Sequence, residues 1–233
     1  MCSDDRTYDV TVLIPAYNEE ADILTAIESI YHNDGITIQT LVVDDASTDD
    51  TYWKVYNSEY DVKVFRNKEN KGKGASLNTL FPFVKGRYWI VLDADDTFEP
   101  QALAILAHTF DFLVEDSNRD NWFVYGRTYY HGMIERIHVP PIFKADQFYK
   151  HNPVCSPIMC PRRTFEKDNI KYIEDLRIAE DWGLMVSLVE AGYEGHAKAD
   201  TLVYHYTYDN TGKQERNERF TRDVLREHFP KVK

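Results

Sequence analysis

Three observations predict an α/β protein built on a mostly parallel, doubly wound sheet. Over the first hundred residues, strand-sized runs rich in Val, Ile and Leu alternate with segments of helical periodicity, the order that parallel strands with crossover helices produce. Two of those runs end in carboxylates, Val42-Val43-Asp44-Asp45 and Ile90-Val91-Leu92-Asp93-Ala94-Asp95-Asp96, and in open α/β sheets ligands bind outside the carboxyl ends of the strands. With 43% hydrophobic residues among 233, the chain can bury one substantial core, as a single domain requires.

The elements follow in order. Asp9 to Ile14 reads as the first strand, closed by Pro15. Asn18 is placed to cap a helix from Glu19 to about Tyr31, in which Ile23, Leu24, Ile27 and Ile30 share a face. After the breaker His32-Asn33-Asp34-Gly35 comes a second strand, Thr37 to Val43, and then a helix to about Glu59 capped by Ser47 or Thr48. Val62 to Arg66 is a short third strand; the loop Asn67 to Gly74 leads into a helix ending near Val84. The run from Tyr88 to Leu92, between Gly86 and Pro100, is the fourth strand. A helix from Pro100 to about Glu115, a strand from Trp122 to Tyr130 and an extended stretch from Ile134 to Val139 come next. Pro140 to Pro161 is irregular and proline-rich. Helical periodicity returns from Glu180 to Ala191, closed by Gly192, and a strand from Thr201 to Tyr206 precedes a C-terminal helix from about Lys213 to Phe229.

The fourth strand carries the strongest chemical signal. Side chains alternate along an extended chain, so Asp93 and Asp95 can point one way while Ala94 points back. Three carboxylates within four residues repel one another unless a cation shares the site, and carboxylate oxygens suit Mg²⁺ or Mn²⁺. The same residues also fit a capped turn, with Asp96 or Thr97 opening the next helix.

Composition narrows the classes. A formal charge of −12 speaks against a broad grip on nucleic acid. Cys2, Cys155 and Cys160 have no partners at zinc-ligand spacing and read as reduced thiols. No apolar run has the length of a membrane span, and Met1 to Asp9 is acidic and polar, unlike a secretory signal. The expectation is a soluble, cytoplasmic protein, peripheral to a membrane at most.

Five pieces in order carry a family resemblance: Val12-Leu13-Ile14-Pro15-Ala16-Tyr17-Asn18-Glu19, Val42-Val43-Asp44-Asp45-Ala46-Ser47, Asn70-Lys71-Gly72, Leu92-Asp93-Ala94-Asp95-Asp96 and Glu180-Asp181-Trp182. Each is a weak motif, but in this order and spacing the chain from about Tyr8 to Ala191 resembles family-2 glycosyltransferases. The resemblance implies a GT-A fold, a nucleotide-binding α/β sandwich with a mostly parallel central sheet, and a reaction that moves a sugar from a nucleotide-sugar with inversion. It divides the chain into one catalytic domain, 1–212, with a donor half over about 8–99 and an acceptor half over about 100–212. Residues 213–233 form a C-terminal helical extension.

Carried over by position, Asp45 accepts a hydrogen bond from the donor's base, with Pro15 and Tyr17 on the facing loop. Asp93 and Asp95 match the D-x-D pattern, in which the first acid contacts ribose and the last coordinates a Mn²⁺ or Mg²⁺ ion that bridges the diphosphate. Such a cation stabilises the charge that develops on the leaving group. Asp96 is an alternative ligand or a cap. Asp181 matches the acid that deprotonates the acceptor hydroxyl, which inversion places opposite the leaving group. Glu180, one residue away on the helix and facing elsewhere, supports it or meets the acceptor. Lys71 and Lys73, amid Gly72 and Gly74, could approach the donor phosphates or stay solvated. His205 lies where relatives place diphosphate- or metal-contacting residues, but its surroundings, Leu202 to Tyr208, depart from the usual form. A strand histidine packed among tyrosines is the alternative. No Q-x-x-R-W follows, so a single transfer is expected rather than processive synthesis.

The donor expected is a UDP-sugar, the commonest case among relatives. The acceptor is a glycan, a lipid-linked saccharide or a modified nucleic-acid base. Arg216, Arg219, Arg222 and Arg226 share a broad helical face, and the i,i+4 pairs Glu215–Arg219 and Glu218–Arg222 suffice for an exposed helix. Two rival readings stand beside this one. Asp93-Ala94-Asp95-Asp96-Thr97 also fits the D-x-D-x-T of haloacid-dehalogenase-type phosphatases, with Asp93 as nucleophile, though that motif ends a first strand. A relative that binds glycan or nucleotide without catalysis is the other.

Overall fold

The computed structural model describes residues 7–208 and 218–232. In chain order the elements are β1 (Tyr8–Ala16), α1 (Ile23–Ile30), β2 (Ile38–Asp44), α2 (Thr51–Tyr56), β3 (Val62–Arg66) and α3 (Lys73–Leu80), followed by a 3₁₀ turn, Phe81–Phe83. Then come β4 (Gly86–Val91), β5 (Thr97–Phe98), α4 (Ala102–Ser117), β6 (Trp122–Gly132), β7 (Arg136–His138), α5 (Ala145–Phe148) and β8 (Cys160–Pro161). The chain continues through α6 (Arg163–Glu166), α7 (Glu180–Glu190), β9 (Glu194–Tyr208) and α8 (Glu218–His228).

The main sheet has the order β3-β2-β1-β4-β8. Its first four strands are parallel and β8 runs antiparallel along β4. Period-2 alternation sorts the core into two layers. Val10, Val12 and Ile14 of β1 face α1 and α4, meeting Ile23, Ile27, Leu103 and Phe110. Leu13, Leu41 and Val43 point the other way, towards Leu77 and Leu80 of α3 and Leu184 and Leu188 of α7. A second sheet, β5-β9-β6-β7, extends the molecule beyond β4. Strand order reverses between β1 and β4, the switch point where open α/β sheets bind ligands. There the strand ends are stitched level: Leu92 N–H donates to Leu13 O (3.0 Å) and Asp45 N–H to Ala16 O (2.8 Å).

Several boundaries differ from the sequence expectation. β1 continues through Pro15 and Ala16 in register with Val43 and Asp44. Proline lacks an N–H, and Pro15 lies past the end of the β4 pairing at Leu13–Val91, where no ladder bond is lost. Asn18 does not cap α1. It adopts a left-handed φ of 58°, which asparagine tolerates, and its Oδ1 accepts from Thr48 N–H (2.8 Å). Ser47 is likewise taken from its capping role, accepting from Asn18 N–H (2.9 Å), and α2 begins only at Thr51. Neither Asp96 nor Thr97 opens α4: Thr97 is in β5, and Gln101 stands before the helix.

Two larger corrections lie in the second half. β9 spans Glu194–Tyr208 rather than Thr201–Tyr206 and runs parallel to β6 with a register shift at Gly126–Arg127. The irregular stretch after Val139 contains a one-turn helix, α5, and the edge strand β8. α8 covers the described part of the C-terminal helix, and Leu225 and Val232 pack on Leu176, Trp182 and Val186. The expected segment Lys213–Asn217, with Arg216 and Glu215, lies outside the described residues, as does Cys2. Cys155 and Cys160 are free thiols.

Candidate active site

The acid ending β2 organises one side of the site. Asp45 is buried; its Oδ1 accepts from Lys71 N–H (2.9 Å) and Asn67 Nδ2 (2.8 Å), and its Oδ2 from Gly72 N–H (2.8 Å). Burial alone would raise its pKa, but these hydrogen bonds outweigh burial and hold the carboxyl below the usual range. Asp45 is therefore an ionised clamp that folds the loop from Asn67 to Gly72 over the end of the sheet. Its neighbour Asp44 is fully buried against Arg66 (3.1 Å), whose guanidinium donates to Ser47 O (2.9 Å) and lies over the Tyr52 ring. Ala46, which follows Asp45, is left-handed at φ 64°, a conformation that L-residues resist. Tyr17 is 46% exposed in the loop after β1, and Pro15, near the end of β1, is half-buried.

The loop delivers Lys73 to the middle of the site. Gly72 has a φ of 86°, which only glycine adopts freely, and Lys73 then opens α3. Lys73 Nζ lies 2.7 Å from Asp93 Oδ1 and 2.9 Å from Glu180 Oε1. Burial would lower the lysine pKa, but the charges of Asp93, Glu180 and Asp181 raise it well above its ordinary value. Gly74 lets α3 approach the start of α7: a β-carbon there would meet Tyr172 Cβ at 3.2 Å and Glu180 Cβ at 3.6 Å. Lys73 thus ties the end of β4 to the start of α7.

Glu180 and Asp181 open α7, where carboxylates favour the positive end of the helix. The residue before them, Ala179, is left-handed at φ 57°. Glu180 is buried and turned onto Lys73, whereas Asp181 meets Asn152, so the two neighbouring acids take different partners. Asp181 Oδ2 accepts from Asn152 Nδ2 (3.0 Å) and its Oδ1 from Trp182 N–H (2.8 Å). Burial, then the charge of Glu180, push its carboxyl up to about 6, while Lys73 pulls down. A carboxylate with that pKa is poised to accept a proton near neutral pH.

On the far side, the β4 acids meet β9. Asp95 is exposed, and its carbonyl accepts from Thr207 Oγ1 (2.9 Å). Asp96 is buried, accepting from Tyr204 Oη (2.5 Å) and Thr207 N–H (2.7 Å). Burial, then the charges of Asp93 and Asp95, raise its carboxyl to about 8. Both Asp96 oxygens are engaged by β9, so the residue is a link between the sheets. His205 pairs through Nε2 with Glu99 and sets its ring edge-on to Tyr129, among aromatics and away from the lysine hub. Among the described residues no three His, Cys, Asp or Glu side chains are arranged to hold a metal ion. The donor set nonetheless fits a hard divalent cation, because Mg²⁺-type sites use one or two carboxylates completed by substrate phosphates and water.

The structure brings Asp45, Lys73, Asp93, Glu180 and Asp181 into one connected site. Sequence reasoning missed Asn67 and Asn152, polar residues in loops that no periodicity marks. An Asn three residues before Asn70-Lys71-Gly72 was the one available signal for Asn67.

An open α/β sheet whose strand ends gather acids beneath a facing helix start defines a GT-A nucleotide-binding sandwich. S. aureus TarS, solved in complex with UDP-GlcNAc, shares that fold with a TM-score of 0.71 and 20% identity over 86% of this chain and 59% of its own. The chain belongs to glycosyl transferase family 2, whose pattern matches residues 11–168. Similar curated proteins include the succinoglycan biosynthesis protein ExoO of Rhizobium meliloti, 29% identical over 81% of this chain. Another is the Escherichia coli glucosyltransferase WfaP, which acts from UDP-Glc on α-D-GlcNAc-diphosphoundecaprenol, 26% identical over 89% of this chain and 80% of its own. The chain spans 58% of the length of ExoO. Membership of this family sets the phosphatase reading aside, as does the position of β4, which three strands precede.

Proposed function

We propose that this chain transfers one sugar from a nucleoside-diphosphate sugar to an acceptor hydroxyl, with inversion and with a divalent cation. The observation that carries the reading is the Lys73 bridge between Asp93 and Glu180. It brings Asp93, after β4, next to the Glu180-Asp181 pair that opens α7, which supports a donor side and a base within one site. Asp45, Pro15 and Tyr17 receive the base, and Asp93 meets the ribose. Asp95 would hold Mn²⁺ or Mg²⁺, and Asp181 takes the proton of the attacking hydroxyl. The cation, when bound, stabilises negative charge on the departing diphosphate. Lys73 holds Asp93 in place and, through its charge, favours the ionised form of Asp181. The donor half, about 8–99, and the acceptor half, about 100–212, meet at that lysine.

A UDP-sugar is the donor favoured by the ligands named for TarS and WfaP. WfaP also favours a lipid-linked saccharide as acceptor. No helix among the described residues is long and apolar enough to cross a membrane. The test is a screen of UDP-, GDP- and dTDP-sugars for hydrolysis and transfer, with and without Mn²⁺. Metal-dependent turnover of one of them is expected; turnover of none, in the presence of metal and lipid-linked acceptor, contradicts the proposal.

A further inference from the structure

The Asp45-clamped loop and the lysine hub meet at Gly72, and one further side chain lies over that point. A β-carbon at Gly72 would sit 2.7 Å from Nη1 and 3.1 Å from Cδ of Arg177, so the arginine occupies the space that the glycine leaves open. Arg177 comes from the loop that precedes α7, three residues before Glu180. It is exposed, and among the described residues it makes no hydrogen bond or ion pair. Its surroundings are otherwise acidic. Asp45, Asp93, Glu180 and Asp181 gather here, and the charge of Lys73 is already shared between two of them. A nucleoside diphosphate brings several more negative charges to this mouth; Lys73 is paired with Asp93 and Glu180, whereas Arg177, like the exposed Lys71 beside Gly72, is not committed to a carboxylate among the described residues, and of the two it is Arg177 that lies over the glycine. A guanidinium binds phosphate with a planar, bidentate fork.

We infer that Arg177 is a donor-binding residue that grips the diphosphate of the nucleotide-sugar, with Gly72 providing the room it needs. The inference rests on the donor site of the proposed function. It separates recognition of the base, at Asp45 and Tyr17, from recognition of the phosphates, at Arg177 and Asp95. A guanidinium there also opposes the charge that grows on the diphosphate as the sugar departs.

Calorimetric titration of uridine and of UDP, each with Mg²⁺, into wild type, Arg177→Ala and Arg177→Lys tests it. The expected result is a loss of UDP affinity of about tenfold to a hundredfold in Arg177→Ala, with uridine affinity changed by less than about twofold. Arg177→Lys, which keeps the charge without the fork, is expected to fall between. Because the residue is exposed, both variants should melt with the wild type. The inference is overturned if Arg177→Ala binds UDP as tightly as wild type, or if uridine weakens as much as UDP, which would turn Arg177 towards the base. A wild type that binds no UDP is a different failure, read on the unaltered protein, and it removes the donor site itself.

Discussion

Lys73→Met removes the cation at the centre of the site while keeping a side chain of similar length. In the wild type, Nζ lies 2.7 Å from Asp93 and 2.9 Å from Glu180, whose side chain is only 9% exposed. Orphaning a buried charge in a salt bridge costs about 3–5 kcal/mol, whereas an exposed pair contributes about 0–1 kcal/mol. Lys73 and Asp93 are 34% and 32% exposed, so water screens part of the interaction. The expected loss is about 2 kcal/mol, or roughly 4–8 °C in Tm for a chain of this size. Adding Glu180→Gln removes the orphaned charge, and the double variant should recover about half of the loss. The kinetic effect follows from Asp181. Burial and Glu180 raise its carboxyl to about 6 while Lys73 lowers it, so without Lys73 it titrates higher. A general base acts only when ionised, so the acid limb of kcat/KM moves to higher pH. Urea unfolding and a pH–rate profile read the two effects separately. A loss below about 0.5 kcal/mol together with an unmoved acid limb would refute the shared site.

Two further outcomes follow from the acids on either side. The Asp96 carboxyl is raised from 3.8 to about 8 in the folded protein, so between those values the folded state keeps a proton that the unfolded chain has released. Its contribution to stability therefore falls as pH rises through that window. Asp96→Asn can keep both hydrogen bonds, its amide donating to Tyr204 and accepting from Thr207, and its advantage in Tm over wild type should widen from about pH 5 to about pH 8. A pH-independent difference contradicts the assignment. Asp45→Ala leaves Lys71 N–H, Gly72 N–H and Asn67 without their acceptor, at about 1–3 kcal/mol for each donor that stays buried. It should lose stability in urea and uridine binding together; uridine bound at full affinity would remove Asp45 from the base pocket.

The parallel sheet was legible because its strands obey simple rules. Val, Ile and Leu runs alternate with helical segments, and Val62–Arg66 was found at its observed bounds. The site's frame was legible for the same reason, since Asp45 and Asp93 follow strands whose ends must lie together at the switch point. Capping was misread where side chains serve tertiary contacts: Asn18 and Ser47 hold the first two strand loops together across about thirty residues of sequence. The first half of β9 was missed because Glu194-Gly195-His196-Ala197-Lys198 lacks the apolar alternation of a strand. Its pairing comes from β6 instead. Nothing local in the sequence tells Glu180 to turn onto Lys73; the close approach of α3 at Gly74 does so. The turn after Asp45 and the start of α7 also contain left-handed Ala46 and Ala179, conformations that composition does not announce.

The most direct test of the central claim compares binding with turnover in Asp181→Asn. The amide can still accept from Asn152 or Trp182 N–H, so the fold and the donor pocket should be retained, but it cannot take the acceptor's proton. UDP-sugar affinity within about threefold of wild type, with transfer reduced by at least about a hundredfold, is the predicted result. Transfer at the wild-type rate would contradict the assignment of Asp181 as the base and, with it, the reading of this site as a glycosyl-transfer centre.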